Sequence, residues 1–151
     1  MYSIEELAND FRKLGIRAAD TVMLHASARA VGEVAGGPDS IHLALKSVLT
    51  SKGTLMMYAS CLRYYDEVGR GNLTMEQERE IREKLPVFDA PTARSARDNG
   101  TLVEFLRTYP DSRVNRHVAR FVFWGRQTGH LMSSQPWNYA LSARILRWND
   151  S

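Results

Sequence analysis

At 151 residues, with 44% hydrophobic and 25% charged residues, the chain has the length and composition of one soluble globular domain with a real core. No apolar run approaches membrane-spanning length, and the N-terminus MYSIEELANDF is acidic and helical, unlike a signal peptide; the single cysteine, Cys61, excludes an internal disulfide and a cysteine-built zinc site, so a cytoplasmic chain without a structural metal is expected. A net charge of +3 with a pI near 9.2 permits a phosphorylated ligand without requiring one.

The stretch SIEELANDFRKLG opens with a capping box, Ser3 with Glu6 three residues on. Its apolar residues Ile4, Leu7, Ala8, Phe11 and Leu14 predict an amphipathic helix stopped by Gly15. TVMLH, Thr21 to His25, predicts a strand of the buried kind, continuous in apolar residues because both faces are covered. Pro38 then suits a first helical turn, and Ile41, Leu45, Val48 and Leu49 form the apolar stripe of a helix that ends at TSKG. TLMMYAS, Thr54 to Ser60, is a second such strand; strand, helix, strand at this spacing predicts a right-handed parallel crossover. From Cys61 to Val87 the sequence turns polar, with a helix expected from about Thr74 to Leu85, closed by Pro86. A short helix follows Gly100 in TLVEFLRTY and ends at Pro110, RFVFWG (Arg120 to Gly125) predicts a third strand, and TGHLMSS a helical turn. With no internal repeat, the architecture is α/β.

Ligands of open α/β sheets bind beyond the carboxyl ends of the strands, which is where His25, Ala26 and Ser27 stand. Ala26 and Ala28 keep the approach open, and Gly32, Gly36 and Gly37 allow close contact ahead of a helix start. The pattern is neither a dinucleotide fingerprint nor a P-loop. Taken alone, the loop reads equally as a strand-to-helix turn and as a ligand loop. Downstream, Arg107, Arg113, Arg116, Arg120 and Arg126 gather with Asp111 as the one acid among them. They read as a solvated face or an anion site; Phe121, Phe123 and Trp124 beside them read as core, and without a recognised nucleic-acid motif no nucleic-acid partner is expected.

Read together, the motifs carry a resemblance. KLGIRAADTVMLHASARAVGEVAGGPDSIHLAL resembles, nearly position for position, the start of the aminoglycoside 3-N-acetyltransferases, and KGTLMMYAS resembles their second strand. LPVFDAPTARS is similar to their P-P-F-D-P-A-T segment with alanine and proline exchanged at Ala90 and Pro91, and GTLVEFLRTYPDSRVNRHVARFVFWG to their helix, R-S-x-H-P and strand-glycine run. The resemblance implies a three-layer αβα fold with a mostly parallel sheet, of which residues 1–151 form a single incomplete domain, the N-terminal half. It also implies acetyl transfer from acetyl-CoA to the 3-amino group of an aminoglycoside or similar polyamine sugar.

On that reading the coenzyme is held by His25, Ala26, Ser27, Ala28, Arg29 and Gly32, with Arg113, Asn115, His117 and Arg120 supplying phosphate and cofactor-wall contacts. Val114 and Asn115 stand near the R-S positions of the family motif, and Val118 replaces its proline. Carboxylates suit a polycationic acceptor; Asp66, Glu67 and Asp89 are the candidates, with the Tyr58 hydroxyl beside them. His42 and His130 lie in helical contexts and read as structural. The family's base, a histidine in a downstream L-x-H-x-x-E segment, has no counterpart before Ser151, so no catalytic residue is assigned. The expectation is a coenzyme-binding half without its catalytic half, whose open sheet edge favours self-association; a non-catalytic coenzyme-A-binding domain is the alternative.

Overall fold

The computed structural model describes residues 1–61, 68, 71–85, 88–116 and 120–134; Asp66, Glu67, Pro86 and His117 lie outside them. Helix α1 spans Ile4–Lys13 and begins with the capping box, the Ser3 hydroxyl accepting from the Glu6 amide at 3.2 Å while Glu6 accepts from the Ser3 amide at 2.8 Å. Strand β1 covers Thr21–Met23, a short helix α2 Ala28–Val31, and helix α3 Asp39–Leu49. Strand β2 covers Thr54–Tyr58 and helix α4 Met75–Lys84, the latter starting on a second capping box, Thr74 with Gln77. Helix α5, Leu102–Thr108, strands β3, Arg113–Val114, and β4, Phe121–Gly125, and helix α6, Thr128–Ser134, complete the chain order. No helix among the described residues is long and apolar enough to cross a membrane.

The four strands form one sheet in the order β1, β2, β4, β3. The β1–β2 pair is parallel, as the crossover spacing requires, with Val22 opposite Leu55. The sheet as a whole departs from the mostly parallel one expected: β4 runs antiparallel to β2, Phe121 opposite Tyr58 and Gly125 opposite Thr54, and β3 runs antiparallel to β4. The chain re-enters the sheet through β3, which runs in the same sense as β2, and the connection that follows reverses it, so β4 lies antiparallel between the two. The last residue of β4 is fixed by a backbone approach. Gly125 has φ +105°, and a Cβ there would sit 2.2 Å from the Gly53 carbonyl oxygen.

One face of the sheet packs on helices. Leu55, Met57 and Val122 join Leu7 and Ala8 of α1, Ile41, Leu45 and Leu49 of α3, and Leu102, Val103 and Leu106 of α5 in one buried cluster. The apolar stripe read in α3 is thus the stripe that is buried. On the other face Tyr58 meets Phe121 edge to face at 5.2 Å. Strand β1 corrects the expectation of cover on both faces: Thr21 and Met23 are exposed while Val22 packs on the core, because β1 is an edge strand with its helices on one side.

A charge is buried in the same helical layer. Lys46 of α3 is 7% exposed, with Nζ 3.9 Å from the Tyr109 ring centre and 4.9 Å from that of Trp124, and no hydrogen bond reaches it among the described residues. Burial lowers its pKa to about 8, against the upward pull of Asp39 and Asp111. The folded pKa lies below the unfolded value of 10.5, so the ammonium opposes folding at neutral pH and stability rises between about pH 8 and 10.5. Lys46→Met is expected to raise stability at pH 7 by about 1–2 kcal/mol, an advantage that shrinks above pH 8 and is gone near pH 10, as read from urea midpoints across that range.

Candidate functional site

Beyond β1 the chain keeps pairing for one residue, the Leu24 amide donating to the Met56 carbonyl at 2.9 Å, and then leaves the sheet. The backbone amides of His25, Ala26 and Ser27 make no hydrogen bond within the described residues, so three consecutive N–H groups are free at the carboxyl end of the strand. Ser27 caps α2, its hydroxyl accepting from the Ala30 amide at 3.3 Å. The turn-forming reading of Ser27 is therefore the one realised by its side chain. His25 and Arg29 are exposed. Ala28 and Gly32 line a cavity of about 400 Å³ together with Gly37, Pro38 and Ile41.

A larger cleft, about 980 Å³, opens between the 94–101 segment and α5. Arg94, Arg97, Gly100, Glu104, Phe105 and Arg107 are among its lining residues. It adjoins the end of β1, since a Cβ on Gly100 would lie 3.7 Å from the Ala26 carbonyl oxygen. It is also tied to the end of β2. The Ser60 carbonyl accepts from the Ala96 amide at 2.8 Å and from Asn99 Nδ2 at 3.0 Å, and Asn99 Nδ2 also reaches the Ser60 hydroxyl at 3.0 Å. Within the cleft Glu104 accepts two bonds from Arg107, at 2.9 and 2.8 Å, and one from the Ser95 amide at 2.9 Å. Burial pushes the Glu104 carboxyl up, but the bonds from Arg107 and Ser95 outweigh it and bring the pKa down to about 2.

Arg120, expected among the phosphate contacts, is corrected by its surroundings. The residue is fully buried: Nε donates to the Ala59 carbonyl at 2.9 Å, and its two terminal nitrogens donate to the carbonyls of Ala90 and Ala93. With all three nitrogens on backbone acceptors, the guanidinium is closed to an anion. Asn115 is also engaged, its side-chain oxygen accepting from the Phe121 amide at 2.8 Å across the β3–β4 loop. Arg113 is exposed on β3, the far edge of the sheet from β1. Of the acceptor candidates, Tyr58 ends β2 against Phe121, and Asp89 accepts from the Thr92 hydroxyl at 2.6 Å. The structure thus brings Ala26 against Gly100 of the 94–101 segment, sets Arg113 on the opposite edge of the sheet, and leaves Ala28 and Gly32 on a separate cavity. Neither exposed histidine, His25 or His130, hydrogen-bonds a carboxylate within the described residues; His42 does, holding Asp39 at 2.8 Å, but its side chain is fully enclosed.

Residues 23–144 match the family model described as aminoglycoside 3-N-acetyltransferase. The chain belongs to the aminoglycoside 3-N-acetyltransferase family. It is 42% identical over 134 residues to aminoglycoside N(3)-acetyltransferase III of Pseudomonas aeruginosa, covering 88% of this chain and 49% of that one. It therefore spans about half the length of the curated relatives it matches. Among solved structures it is similar to AAC-IIIb bound to CoASH, with a TM-score of 0.76 and 35% identity, over 89% of this chain and 50% of that one. It is likewise similar to sisomicin-bound AAC-VIa, with a TM-score of 0.79 and 30% identity, over 97% of this chain and 56% of that one.

Within this family member, the residues that sequence reasoning passed over are Arg94, Arg97 and Glu104. The signal available was local: Glu104 and Arg107 lie three apart on one helix, the spacing of a facing ion pair. Because the folded Glu104 pKa of about 2 lies below the unfolded value of 4.5, its contribution is complete above pH 4.5 and is lost as pH falls toward 2. Glu104→Gln is expected to cost on the order of 3 kcal/mol at pH 7 and almost nothing at pH 2, as measured by urea denaturation of the two proteins at both pH values.

Proposed function

We propose that the chain binds acetyl-CoA in the crevice at the carboxyl ends of β1 and β2, and that it serves acetyl transfer from that thioester to the 3-amino group of an aminoglycoside. The observation that carries this reading is the run of free amides at His25, Ala26 and Ser27, opening beside a cleft built from the 94–101 segment. An extended pantetheine arm carries amide carbonyls that need such donors. Family membership supports the reaction class; within the same proposal the chain is the N-terminal, coenzyme-binding half of a three-layer αβα enzyme.

The reaction asks three things of the protein. The acceptor ammonium must lose a proton, the freed amine must attack the thioester carbonyl, and the coenzyme thiolate must leave as the tetrahedral oxyanion collapses. Free backbone amides at the strand end orient the thioester and are placed to stabilise that oxyanion. Asp89 and Tyr58 stand on the acceptor side, with Asp66 and Glu67 proposed beside them. His117 remains proposed for the coenzyme wall. Proton removal is the step without a candidate among the described residues, because the one histidine paired with a carboxylate, His42, is enclosed.

Two measurements follow. Calorimetry with coenzyme A is expected to show weak saturable binding that Ser27→Trp abolishes by filling the crevice; an absence of heat at millimolar ligand removes the proposal. Positioned acid–base groups contribute about a hundred- to ten-thousandfold to such reactions. The 151-residue chain mixed with acetyl-CoA and an aminoglycoside is therefore expected to release no thiol above background. Thiol release that disappears in His25→Ala would instead make His25 the base and the crevice a complete catalytic site.

A further inference from the structure

The loop between α2 and α3 is held by the first residues of the chain. Gly32, Gly36 and Gly37 have φ of +89°, +84° and +84°, so residues 32–37 contain three points at which the backbone offers little resistance to motion. Order there has to come from bonds made to the loop. Within the described residues it closes on itself through the Gly37 amide, which donates to the Val34 carbonyl at 3.0 Å. Ser40 of α3 holds the far end, its amide donating to the Gly37 carbonyl at 3.1 Å and its hydroxyl to the Ala35 carbonyl at 2.7 Å. The near end is held by Tyr2. Its amide donates to the Glu33 carbonyl at 2.7 Å and its carbonyl accepts from the Ala35 amide at 2.8 Å, a parallel bridge centred on Val34.

The capping box of α1 is what aims Tyr2. Ser3, the next residue, is fixed in extended geometry at φ −86° and ψ 162° by its two bonds with Glu6, on a helix that packs into the core through Leu7 and Ala8. The Tyr2 side chain contributes nothing to the clasp. It is 46% exposed and makes no hydrogen bond or ring contact within the described residues. The bonds to the loop are therefore main-chain bonds alone. Their place in the fold gives them a consequence, because α2 lies between the clasped residues and Ser27, and Met1 lines the 400 Å³ cavity together with Ala28, Gly32, Val34 and Ile41. Tyr2 lies outside residues 23–144, the span that matches the family.

Resting on the coenzyme reading above, we propose that Tyr2 is a positioning residue for coenzyme binding: its main chain clasps Glu33 to Ala35, holds the far end of α2, and so keeps the His25 to Ser27 amides at the near end turned toward the crevice. With the clasp released, the glycine loop and α2 sample several arrangements. Only the fraction in the clasped arrangement binds, and the apparent affinity falls by that fraction.

Two variants separate the main chain of Tyr2 from its side chain. Tyr2→Pro removes the amide that donates to Glu33, whereas Tyr2→Ala keeps both main-chain bonds. Both are made by cell-free synthesis, with Met1 verified in place by intact mass, so that residue 2 stays within a peptide bond. One net hydrogen bond corresponds to about a fivefold change in population. Tyr2→Pro is thus expected to weaken coenzyme A binding about fivefold by calorimetry and to accelerate hydrogen exchange at the Ala35 amide, with Tyr2→Ala unchanged in both. Unaltered exchange at Leu45 and Leu49 of α3 verifies the fold of each variant. Ala35 exchanging as an unstructured amide in the unaltered chain overturns the clasp. Faster exchange in Tyr2→Pro with unchanged affinity, or an equal loss of affinity in Tyr2→Ala, overturns the positioning role while leaving the coenzyme reading intact. An unaltered chain that binds no coenzyme A, with Ala35 still protected, overturns the coenzyme reading and the positioning role with it.

Discussion

A single buried guanidinium holds the crevice together. Arg120 is the residue just before β4, and it continues the ladder to β2 through the Ala59 amide, which donates to its carbonyl at 2.8 Å, while its side chain donates back to the Ala59 carbonyl. Its other nitrogens reach Ala90 and Ala93, thirty and twenty-seven residues away in sequence. A charge this deep is tolerable only when it is well bonded, and here each of its three nitrogens reaches a backbone carbonyl. The same contacts therefore solvate the cation and pin the 90–93 turn to the end of β2. The turn leads directly into the segment of Ser95, Arg97 and Gly100, which is tied in its own right to the end of β2 by the bonds of Ala96 and Asn99 to Ser60.

The antiparallel entry of β4 is what makes the anchor possible. Because β4 begins where β2 ends, its first residues lie on the side of the sheet edge where β1 and β2 both finish. A parallel β4 would have put Arg120 at the opposite end, next to Gly53. The crevice is thus walled by two strand ends, one strand start and the 94–101 segment. Its chemistry follows from which backbone groups are already used. The carbonyls of Ala59 and Ser60 are taken by Arg120, Ala96 and Asn99, whereas the amides of His25 to Ser27 make no hydrogen bond within the described residues, so this end of the sheet presents donors.

The parts of this arrangement legible in the sequence are those encoded by neighbouring residues. Ser3 with Glu6 marked the start of α1, the Ile41, Leu45, Val48 and Leu49 stripe marked the buried face of α3, and the continuous apolar runs marked β1, β2 and β4. Strand direction was not legible for β4, because RFVFWG has the same side-chain pattern whichever way it runs; the sense was set by the route of the connection. Strand β3, two residues long, is too short to show any period. Exposure of β1 on one side was also hidden, since an apolar run reads as covered on both faces whether or not a second layer lies over it. That His25 to Ser27 stand just beyond β1 was legible because the end of an apolar run is marked by neighbouring residues alone.

The arginines show why the site itself was harder to read. In sequence, Arg94, Arg97, Arg107, Arg113 and Arg120 are equivalent cations, and clustering was the only available guide to function. In the fold they are sorted by the acceptors that reach them. Arg120 finds three backbone carbonyls and becomes part of the core, while Arg107 finds Glu104 on its own helix and becomes a wall. Arg94 and Arg97, on a segment held in place through Ser60, find little and stay available. Since the fate of Arg120 is set by carbonyls some thirty residues away and that of Arg107 by Glu104 one helical turn away, the density of positive charge along the chain does not by itself tell a core cation from an available one.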